Sequence, residues 1–317
     1  MVKILANDGI APEGQAILED AGFEVDTNKI PQEELTGRLN GYDAIIVRSA
    51  TLVTKEVIDS APNLKAIGRA GVGLDNIDVA HARRKGIEVI NTPDASSLSV
   101  AELVFAHIFT MSRFLHLSNH EMRTGGEFKA LKKKYSKGIE LREKTLGIIG
   151  LGRIGQETAK IALGLGMEVV AFDPQVKRVF LDMDHLDITP TPEMVIETTS
   201  KEEVLERCDF LTLHVPFKAG SDSLLSKKDF SLMKNTVIVI NCSRGGVVHE
   251  QELIEALDQK QIAFAGLDVF ENEPVVNPAL LGHQNISVSP HIGGSTIEAQ
   301  ERVGVEIAKK IVRHFQG

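Results

Sequence analysis

One segment, Thr145–Asp173, constrains the fold of this 317-residue chain more than any other. An apolar strand at Leu146–Ile149 runs into a turn of sequence Gly-Leu-Gly-Arg-Ile-Gly. A helical pattern and a second apolar strand, Glu168–Phe172, follow. This order of strand, glycine turn, helix and strand is typical of a βαβ unit that binds the pyrophosphate of a dinucleotide at the helix N-terminus. The segment therefore predicts a parallel α/β sheet with a dinucleotide site.

Each glycine of the turn has a separate role. Gly150 permits the tight turn out of the strand, Gly152 lets backbone N–H groups approach the phosphates, and Gly155 allows the helix to pack closely on the sheet. Asp173, at the end of the second strand, can accept hydrogen bonds from a ribose. A carboxylate there repels a 2′-phosphate, so we expect NAD rather than NADP. The Lys177-Arg178 pair lies close enough to leave some NADP use open.

Composition limits the class of protein. Hydrophobic residues make up 43% and charged residues 25% of the chain, and the formal net charge is −9. These values are ordinary for a globular protein and argue against broad binding of nucleic acid or anionic membranes. The opening MVKILAND has no signal-peptide pattern, no segment has the length and apolarity of a membrane span, and Cys208 and Cys242 are the only cysteines. We expect a cytoplasmic protein without disulfides or a metal site.

Outside the glycine turn, short apolar strands alternate with helical patterns. The strands predicted in the first part of the chain are Val2–Ala6, Phe23–Asp26, Ala44–Arg48, Leu64–Arg69 and Glu88–Asn91. Those predicted after the glycine turn lie near Phe210–His214, Val237–Asn241, Ala263–Leu267 and Ile286–Val288, and a final helix spans about Ile297–Phe315. This alternation predicts an α/β protein with two doubly wound parallel sheets, whose ligands bind at the carboxyl ends of the strands.

A helix and a basic loop are predicted between the two sets of strands. Ser99-Val-Ala-Glu102 has the spacing of a capping box and predicts a long helix through about Leu117. The polar segment from Arg123 to Gly138 follows as a loop and contains Lys132, Lys133 and Lys134. These lysines either form a solvated face or contact a phosphate, in which case the phosphate could belong to a neighbouring subunit.

Three motifs near the end of the chain each follow a predicted strand. In Asn-Cys-Ser-Arg-Gly-Gly, the planar guanidinium of Arg244 can bind a carboxylate with two hydrogen bonds. Asp-Val-Phe-Glu-Asn-Glu-Pro carries three acids, Asp268, Glu271 and Glu273, and Ser-Pro-His-Ile-Gly-Gly displays His291 at a turn. Together they predict a site for acid–base catalysis, in which a carboxylate orients an imidazole and an arginine binds an anionic substrate. Oxidation of a 2-hydroxy acid requires such a set, because one group takes the hydroxyl proton while C2 gives its hydride to a nicotinamide.

The combination of GLGRIG, NCSRGG, DVFENEP and SPHIGGS resembles the D-isomer-specific 2-hydroxyacid dehydrogenases over essentially the whole chain. Within that family, the stretches VRSAT, GRAGVGLDNID and KKKYSKGIEL are most similar to the group that acts on D-3-phosphoglycerate. The resemblance implies that Arg244, Glu273 and His291 are the catalytic residues of an NAD-dependent oxidation of D-3-phosphoglycerate to 3-phosphohydroxypyruvate. The alternatives are a glyoxylate/hydroxypyruvate reductase or D-lactate-type dehydrogenase and, in another class, a dinucleotide-sensing binding protein like the corepressors built on this fold.

The resemblance also implies contacts to the two ligands. Besides Gly150, Gly152, Gly155 and Asp173, the implied NAD contacts are Val72, Arg153, Ile154, His214, Val215, Pro216, Cys242, Ser243, Arg244, Asp268, His291, Gly293 and Gly294. The implied substrate contacts are Arg48, Ser49, Arg69, Asn76, Arg244 and His291, with a phosphate meeting Arg48 and one of Lys132, Lys133 and Lys134 across a dimer. Val72 stands where relatives often have threonine, so only its backbone N–H is available there.

The resemblance finally implies the domain organisation. A Rossmann-type NAD-binding domain, residues 98–291, would be inserted into a flavodoxin-like substrate-binding domain formed by residues 1–97 and 292–317. The implied homodimer forms through the NAD-binding domain and its helix near Ala101–Ser118, and the implied partner is a small phosphorylated 2-hydroxy acid. Because the sequence ends at Gly317, directly after the last predicted helix, we expect no regulatory domain and no inhibition by serine.

Overall fold

The structure, a computed structural model, describes residues 1–183, 193–218 and 220–317. By its internal contacts the chain divides into two compact units. The first joins Met1–Ser97 to Gly294–Gly317, and the second is the continuous segment Leu98–Gly293. The sequence predicts crossings after residues 97 and 291, and the structural units change after Ser97 and Gly293.

The first unit contains a five-stranded parallel sheet. Its strands are β1 Lys3–Ala6, β2 Glu24–Asp26, β3 Ala44–Val47, β4 Ala66–Arg69 and β5 Glu88–Asn91. They are arranged in the order β2-β1-β3-β4-β5, which is the flavodoxin-like order. Along β3, Ile45 and Val47 belong to one apolar cluster, whereas Ala44 and Ile46 belong to another. Both faces of this sheet are therefore buried, as expected for parallel strands.

Helices cover both faces of the first sheet. They are α1 Pro12–Asp20, α2 Leu35–Arg38, α3 Lys55–Asp59, α4 Val79–Arg84 and the C-terminal helix α13 Ile297–Gln316. The C-terminal helix buries the stripe of Val303, Ile307 and Ile311 against the sheet, as the spacing of these residues predicts.

The second unit contains a six-stranded parallel sheet and a short antiparallel ribbon. The sheet strands are β6 Thr145–Ile149, β7 Glu168–Phe172, β10 Phe210–Leu213, β11 Ile238–Asn241, β12 Phe264–Leu267 and β13 Ile286–Val288, and the ribbon strands are β8 Arg178–Asp182 and β9 Glu193–Glu197. The order β13-β12-β11-β10-β6-β7 places β6 between β7 and β10, so the chain direction across the sheet reverses at β6. Such a switch point is where open α/β sheets bind ligands.

The helices of the second unit lie before and between these strands. They are α5 Ser97–Ser112, α6 Leu115–Arg123, α7 Phe128–Lys134, α8 Arg153–Gly164, α9 Lys201–Arg207, α10 Lys227–Phe230, α11 Glu250–Asp258 and α12 Pro278–Gly282. Together the two parallel sheets confirm the predicted α/β fold class.

The predicted limits of the long helix α5 are wrong at both ends. The helix begins at Ser97, so Ser99 lies inside it rather than capping it, because a backbone bond from Ser97 N–H to Asp94 O starts the helical turn earlier. It ends at Ser112 because Phe114 adopts a left-handed backbone conformation (φ 54°), after which α6 begins in a new direction.

Two further elements differ from the predictions. The predicted basic loop contains the helix α7, whose first turn is capped by the Glu127 carboxylate as it accepts hydrogen bonds from Lys129 N–H and Ala130 N–H. The ribbon of β8 and β9 was not predicted, because the burial of its side chains depends on how the two strands pair and not on the sequence of either strand alone. Phe180 is exposed beside Val195, whereas Leu181 is buried.

Among the described residues, no single helix is long and apolar enough to span a membrane, and α5 and α6 reach such a length and composition only together, as a pair bent by 63°. Within the same part of the chain, no group of three or more histidine, cysteine, aspartate or glutamate side chains is arranged to hold a metal ion.

Candidate active site

The glycine turn lies between the end of β6 and the start of α8. Gly150 has a φ of 97°, and a Cβ there would lie 2.3 Å from the backbone oxygen of His214. A Cβ on Gly155 would lie 2.2 Å from the backbone oxygen of Gly150, whereas one on Gly152 would have nothing within 4 Å. The backbone at Gly152 is thus open beside the N-terminus of a twelve-residue helix. This geometry fits a pyrophosphate held by backbone N–H groups.

Asp173 ties the glycine turn to the end of β7. Its Oδ2 accepts a hydrogen bond from Leu151 N–H at 2.8 Å, and its Oδ1 accepts from Gln175 N–H at 2.8 Å and from Val176 N–H at 2.9 Å. Burial raises the pKa of Asp173, but these donors outweigh burial and the pKa lies below its ordinary value. The side chain is therefore a carboxylate that shapes the turn and also carries the charge that disfavours a 2′-phosphate.

Other predicted cofactor residues flank the turn. They are Arg153 and Ile154 at the start of α8, and His214, Val215 and Pro216 after β10. The His214 ring turns toward Thr212 and Thr158, with its Nε2 3.1 Å and 3.3 Å from the two hydroxyl oxygens. Burial lowers the pKa of His214 to about 3, so the ring is neutral. Beyond Asp173, Arg178 forms an ion pair with Glu197 across the ribbon.

His291 and Glu273 form a hydrogen-bonded pair. His291 Nδ1 lies 2.7 Å from Glu273 Oε2, and Glu273 Oε1 accepts a hydrogen bond from Phe270 N–H at 3.0 Å. Because an ionised carboxylate can only accept, the proton sits on Nδ1 and the lone pair on Nε2 is left to take another proton. The His291 side chain is 47% exposed, so a substrate can reach it.

The backbone around His291 is held by one buried carboxylate. His291 has a left-handed conformation (φ 54°), which costs on the order of 1–3 kcal/mol for a residue with a Cβ. Asp268, which follows β12 and is 1% exposed, accepts hydrogen bonds from Ile292 N–H at 2.9 Å and Gly293 N–H at 2.8 Å. It also accepts from the Ser289 hydroxyl at 2.5 Å. These contacts fix the chain on both sides of the imidazole.

Arg244 lies in a turn that follows β11. The Asn241 side chain shapes this turn, because its Nδ2 donates to Arg244 O at 2.9 Å and its Oδ1 accepts from the N–H and hydroxyl of Ser243. The Arg244 side chain donates to Ser243 O at 2.7 Å. A Cβ on Gly245 would lie 1.8 Å from Phe270 O, so the arginine turn packs against the loop that carries the glutamate.

The three predicted catalytic residues therefore follow three neighbouring strands, β11, β12 and β13, whose carboxyl ends meet at one edge of the sheet. The structure links His291 to Glu273 directly, and it places Arg244 in the adjoining turn. Cys242, in the same turn, is 6% exposed. Burial raises the pKa of the Cys242 thiol, so this side chain is protonated and fills space rather than acting as a nucleophile.

The other predicted contacts lie in the first unit, with the exception of the lysines on α7. They are Arg48, Ser49, Arg69, Val72, Asn76 and Gly294. The loop after β3 is held from two sides: the Asp8 carboxylate accepts from Arg48 N–H at 2.7 Å, and Asn76 Nδ2 donates to the backbone oxygens of Arg48 and Thr51, both at 2.7 Å. Asn76 thus supports this loop with the amide that was predicted to face the substrate.

The Arg69 side chain folds back over its own loop. Its Nη1 donates to Ala70 O at 2.6 Å, and a Cβ on Gly71 would lie 1.8 Å from the same nitrogen. The neighbouring backbone oxygen of Val72 accepts a hydrogen bond from Asn91 Nδ2 at 2.8 Å.

Sequence reasoning missed four polar side chains that shape these loops: Asp8, His107, Asn241 and Ser289. Asp8 and Asn241 stand at or just after the carboxyl end of a buried strand, which is a signal that could have found them. His107, whose Nε2 lies 3.0 Å from Ser289 Oγ, interrupts an apolar helix and offered no spacing that pointed to its partner.

Comparison with known proteins agrees with this geometry. Residues 105–293 match the family model described as D-isomer specific 2-hydroxyacid dehydrogenase, NAD binding domain. A D-3-phosphoglycerate dehydrogenase from Methanocaldococcus jannaschii is 40% identical over 100% of this chain, which spans only 58% of that relative. A hydroxypyruvate reductase from Thermotoga maritima is 39% identical over 99% of this chain and 98% of its own length.

Solved structures show the same fold. The crystal structure of a glyoxylate reductase from Paecilomyes thermophila superimposes with a TM-score of 0.81 at 26% identity, covering 98% of this chain and 94% of that one. The family model matches more than half of the chain, and the hydroxypyruvate reductase aligns along nearly its full length. The chain belongs to the D-isomer specific 2-hydroxyacid dehydrogenase family, and residues 105–293 form its NAD-binding domain.

Proposed function

We propose that this chain is an NAD-dependent dehydrogenase that oxidises a D-2-hydroxy acid at C2. The observation that carries the proposal is the 2.7 Å contact between His291 Nδ1 and Glu273 Oε2. The pair lies at the carboxyl edge of the sheet that also carries the glycine turn, and parallel sheets bind their ligands at that edge.

The residues of the pair have complementary roles in the reaction. When bound, NAD supplies the acceptor for the hydride that leaves C2. His291 Nε2 takes the hydroxyl proton as the alcohol becomes a ketone, and Glu273 stabilises the resulting imidazolium through the Nδ1–H bond. General-base catalysis of this kind contributes about 10²–10⁴ to a rate. Arg244 binds the substrate carboxylate with its planar fork and so orients C2.

For the substrate we propose D-3-phosphoglycerate, with 3-phosphohydroxypyruvate as the product. The support is that the chain carries more positive charge than an unphosphorylated 2-hydroxy acid needs for binding. Arg48 directly follows β3 and Arg69 ends β4 in the first unit, and Lys132 and Lys133 are exposed on α7. Lys134 is the least suited of the three lysines, because its Nζ forms an ion pair with Glu121 Oε1 at 2.6 Å.

The names of the relatives favour two different substrates. The Methanocaldococcus jannaschii relative is a D-3-phosphoglycerate dehydrogenase, whereas the Thermotoga maritima relative is a hydroxypyruvate reductase. A hydroxypyruvate or glyoxylate reductase is therefore the second candidate. We prefer D-3-phosphoglycerate because a phosphate site would use the positive charges of Arg48, Arg69 and the lysines of α7. Hydroxypyruvate and glyoxylate carry no phosphate and need no such site.

The test is reduction of NAD with a panel of D-2-hydroxy acids, with the keto product trapped so that the reaction proceeds. We expect kcat/KM to be highest for D-3-phosphoglycerate. A preference for D-glycerate or D-lactate would refute the substrate, and no turnover with any acid would refute the dehydrogenase.

A variant tests the role of the imidazole. His291→Asn should bind NADH nearly as well as the wild type in a fluorescence titration, because the glycine turn is untouched. Its kcat should fall by about 10²–10⁴, the usual contribution of a general base. Full activity in this variant would remove His291 from the mechanism.

We also propose a homodimer through the NAD-binding domain. The support is exposed apolar side chains on α5, α6 and α7, where Phe109 is 45%, Leu115 58%, Met122 50% and Phe128 66% exposed. Neighbouring exposed apolar residues often mark an interface. Sedimentation equilibrium should give twice the chain mass, and Met122→Asp should shift the protein toward the monomer; a monomeric wild type at micromolar concentration would refute the dimer.

A further inference from the structure

A chain of polar contacts runs from the middle of α5 to the turn that carries His291. His107, which is 5% exposed, places its Nδ1 3.0 Å from Ser287 Oγ and its Nε2 3.0 Å from Ser289 Oγ. Ser289 in turn donates its hydroxyl to Asp268 Oδ1 at 2.5 Å. These contacts join residues 180 positions apart in sequence, and none of them involves a group already assigned to the proton transfer.

The direction of each hydrogen bond in this chain of contacts follows from the Asp268 carboxylate, which is the acceptor at its end. The Asp268 carboxylate can only accept, so the Ser289 hydroxyl donates to it and the Ser289 oxygen accepts from His107 Nε2–H. Nδ1 of His107 then carries a lone pair and accepts from the Ser287 hydroxyl. Burial lowers the pKa of His107 and outweighs the nearby Asp268 charge, which agrees with a neutral ring.

The position of the ring is set by close packing. A Cβ on Gly266 of β12 would lie 2.9 Å from His107 Cβ, so α5 sits directly on the strand that leads to Asp268. Val104, Ile108 and Met111 on the same helix are buried apolar residues. A histidine among them can be accommodated only because both ring nitrogens have partners.

We infer that His107 is a positioning residue for the acid–base pair, because it directs the Ser289 hydroxyl proton toward Asp268 and so holds the left-handed turn that presents His291 to Glu273. The inference rests on the proposed catalytic role of His291. His107 acts through Ser289 and Asp268, and it has no assigned contact with substrate or cofactor.

Loss of the His107 donor would leave the turn folded but less accurately placed. Asp268 would retain the two backbone donors that follow His291, whereas the Ser289 hydroxyl would be free to rotate away. A misplacement of about 1 Å at a reacting group can cost about 100-fold in rate. The expected signature is a fall in kcat, with little change in ligand binding.

Two substitutions at position 107 separate the donor from the bulk of the ring. His107→Leu fills similar space without a donor, whereas His107→Gln keeps an N–H that can reach Ser289. We expect kcat to fall about 10- to 100-fold in His107→Leu, with the substrate KM and the NADH Kd within about twofold of wild type. His107→Gln should recover most of the lost kcat.

The neighbouring helix α6 provides a matched control. His116 places its Nε2 3.2 Å from the Gln284 backbone oxygen and shares no hydrogen bond with His107, Ser289 or Asp268. His116→Leu should therefore keep the wild-type kcat. An equal loss in this variant would indicate a general effect of removing a helix histidine and would overturn the inference.

A second variant keeps the inference testable if His107→Leu fails to fold. Ser289→Ala removes the hydroxyl that links His107 to Asp268 and should lower kcat to a similar extent. The double variant His107→Leu/Ser289→Ala should be no slower than the slower single variant, because both changes break one pathway. A loss in the double variant equal to the product of the two single losses would overturn the inference. So would a folded His107→Leu variant with unchanged kcat, and so would a loss in kcat that His107→Gln fails to restore.

The outcome for the wild type separates this inference from the proposed function. Absence of turnover with every 2-hydroxy acid would refute the dehydrogenase itself. An active wild type together with a fully active His107→Leu variant would refute only the positioning role. In the variants that support the role, the deuterium isotope effect from a C2-deuterated substrate should rise, because hydride transfer becomes slower relative to binding and release.

Discussion

At the scale of single residues, the structure separates two glycines that close packing requires from one that borders open space. Gly150 and Gly155 face backbone oxygens at distances that no Cβ could occupy, whereas Gly152 faces open space. All three belong to one sequence motif, so the motif alone does not distinguish their roles. The difference follows from what each backbone position packs against.

Gly152→Ala should therefore affect the ligand more than the fold. We expect a loss of less than about 1 kcal/mol in the free energy of unfolding, the usual scale for alanine at a helix N-cap. The NADH Kd should rise by at least about tenfold, because the methyl group occupies the space beside the helix N-terminus. Denaturant unfolding and a fluorescence titration measure the two quantities.

The same helix supplies the comparison variants. Gly164→Ala, at the other end of α8 with nothing within 4 Å, should leave NADH binding unchanged. Gly155→Ala should cost about 1–3 kcal/mol of unfolding free energy or more, because its methyl group meets a backbone oxygen. Unchanged NADH affinity in Gly152→Ala would place the pyrophosphate elsewhere.

The neutral state of His107 predicts a pH dependence of stability. Burial holds the pKa of His107 below its ordinary value. Between the ordinary histidine pKa of about 6.5 and the lower pKa in the folded chain, the unfolded chain therefore binds more proton at this position than the folded chain does. Stability falls as the pH drops through this window, by up to about 1.4 kcal/mol per pH unit for one proton.

His107→Gln removes this titration. Between about pH 6.5 and 5, the unfolding free energy of the variant should fall less steeply than that of the wild type, as measured by urea unfolding at several pH values. Parallel curves for the two proteins would contradict the neutral, buried ring.

At the scale of elements, the first unit depends on a close crossing of α1 and α13. A Cβ on Gly14 would lie 2.4 Å from the backbone oxygen of Gly304, and one on Gly304 would lie 2.8 Å from Ala11 Cβ. The two helices thus meet backbone to backbone. This crossing holds the last helix of the chain against the sheet formed by its first residues.

Gly14→Ala should push these helices apart. We expect a loss of about 1–3 kcal/mol in unfolding free energy, the usual cost of inserting a methyl group into a packed contact. Gly37→Ala, in α2 with nothing within 4 Å, is the matched control and should be neutral or slightly stabilising. Equal stability of the two variants would show that the crossing tolerates a methyl group.

At the scale of the whole molecule, one continuous segment contains most of the residues predicted to bind NAD, whereas Val72 and Gly294 lie in the first unit. Leu98–Gly293 includes the glycine turn, Asp173, Arg244 and the His291–Glu273 pair. The first unit is assembled from both ends of the chain and supplies Arg48 and Arg69. This division predicts that cofactor binding and turnover can be separated.

The segment Leu98–Gly293, expressed alone, should fold cooperatively and bind NADH within about tenfold of the full chain, because its core and glycine turn are complete. It should show no turnover with a 2-hydroxy acid, since the first unit is missing. Calorimetry measures the unfolding and a fluorescence titration measures the binding, with Gly152→Ala in the same segment as the weaker-binding control. Failure to bind NADH would show that the first unit is needed for the nucleotide site.

The sequence by itself determined the α/β class and the edge where the chemistry gathers. Alternating apolar strands and helices specify parallel sheets, and a polar residue that follows such a strand must lie at the shared carboxyl edge. Arg244, His291 and the acids Asp268, Glu271 and Glu273 can therefore be grouped by their positions along the chain. Asp173 can be placed beside the glycine turn for the same reason. The choice of Glu273 among the acids follows from the family resemblance, and the catalytic roles stay a prediction.

Only the tertiary structure decided the contacts between residues distant in sequence. No residue spacing in the sequence indicates three of these contacts. They are the link from His107 to Ser289, the pairing of β8 with β9, and the support of the Arg48 loop by Asp8 and Asn76. The break of the long helix at Phe114 likewise depends on packing, since its ring lies 5.8 Å from both Tyr135 and Phe264. Local periodicity reports which face of an element is buried, whereas the partner on that face is chosen by the packing of the whole unit.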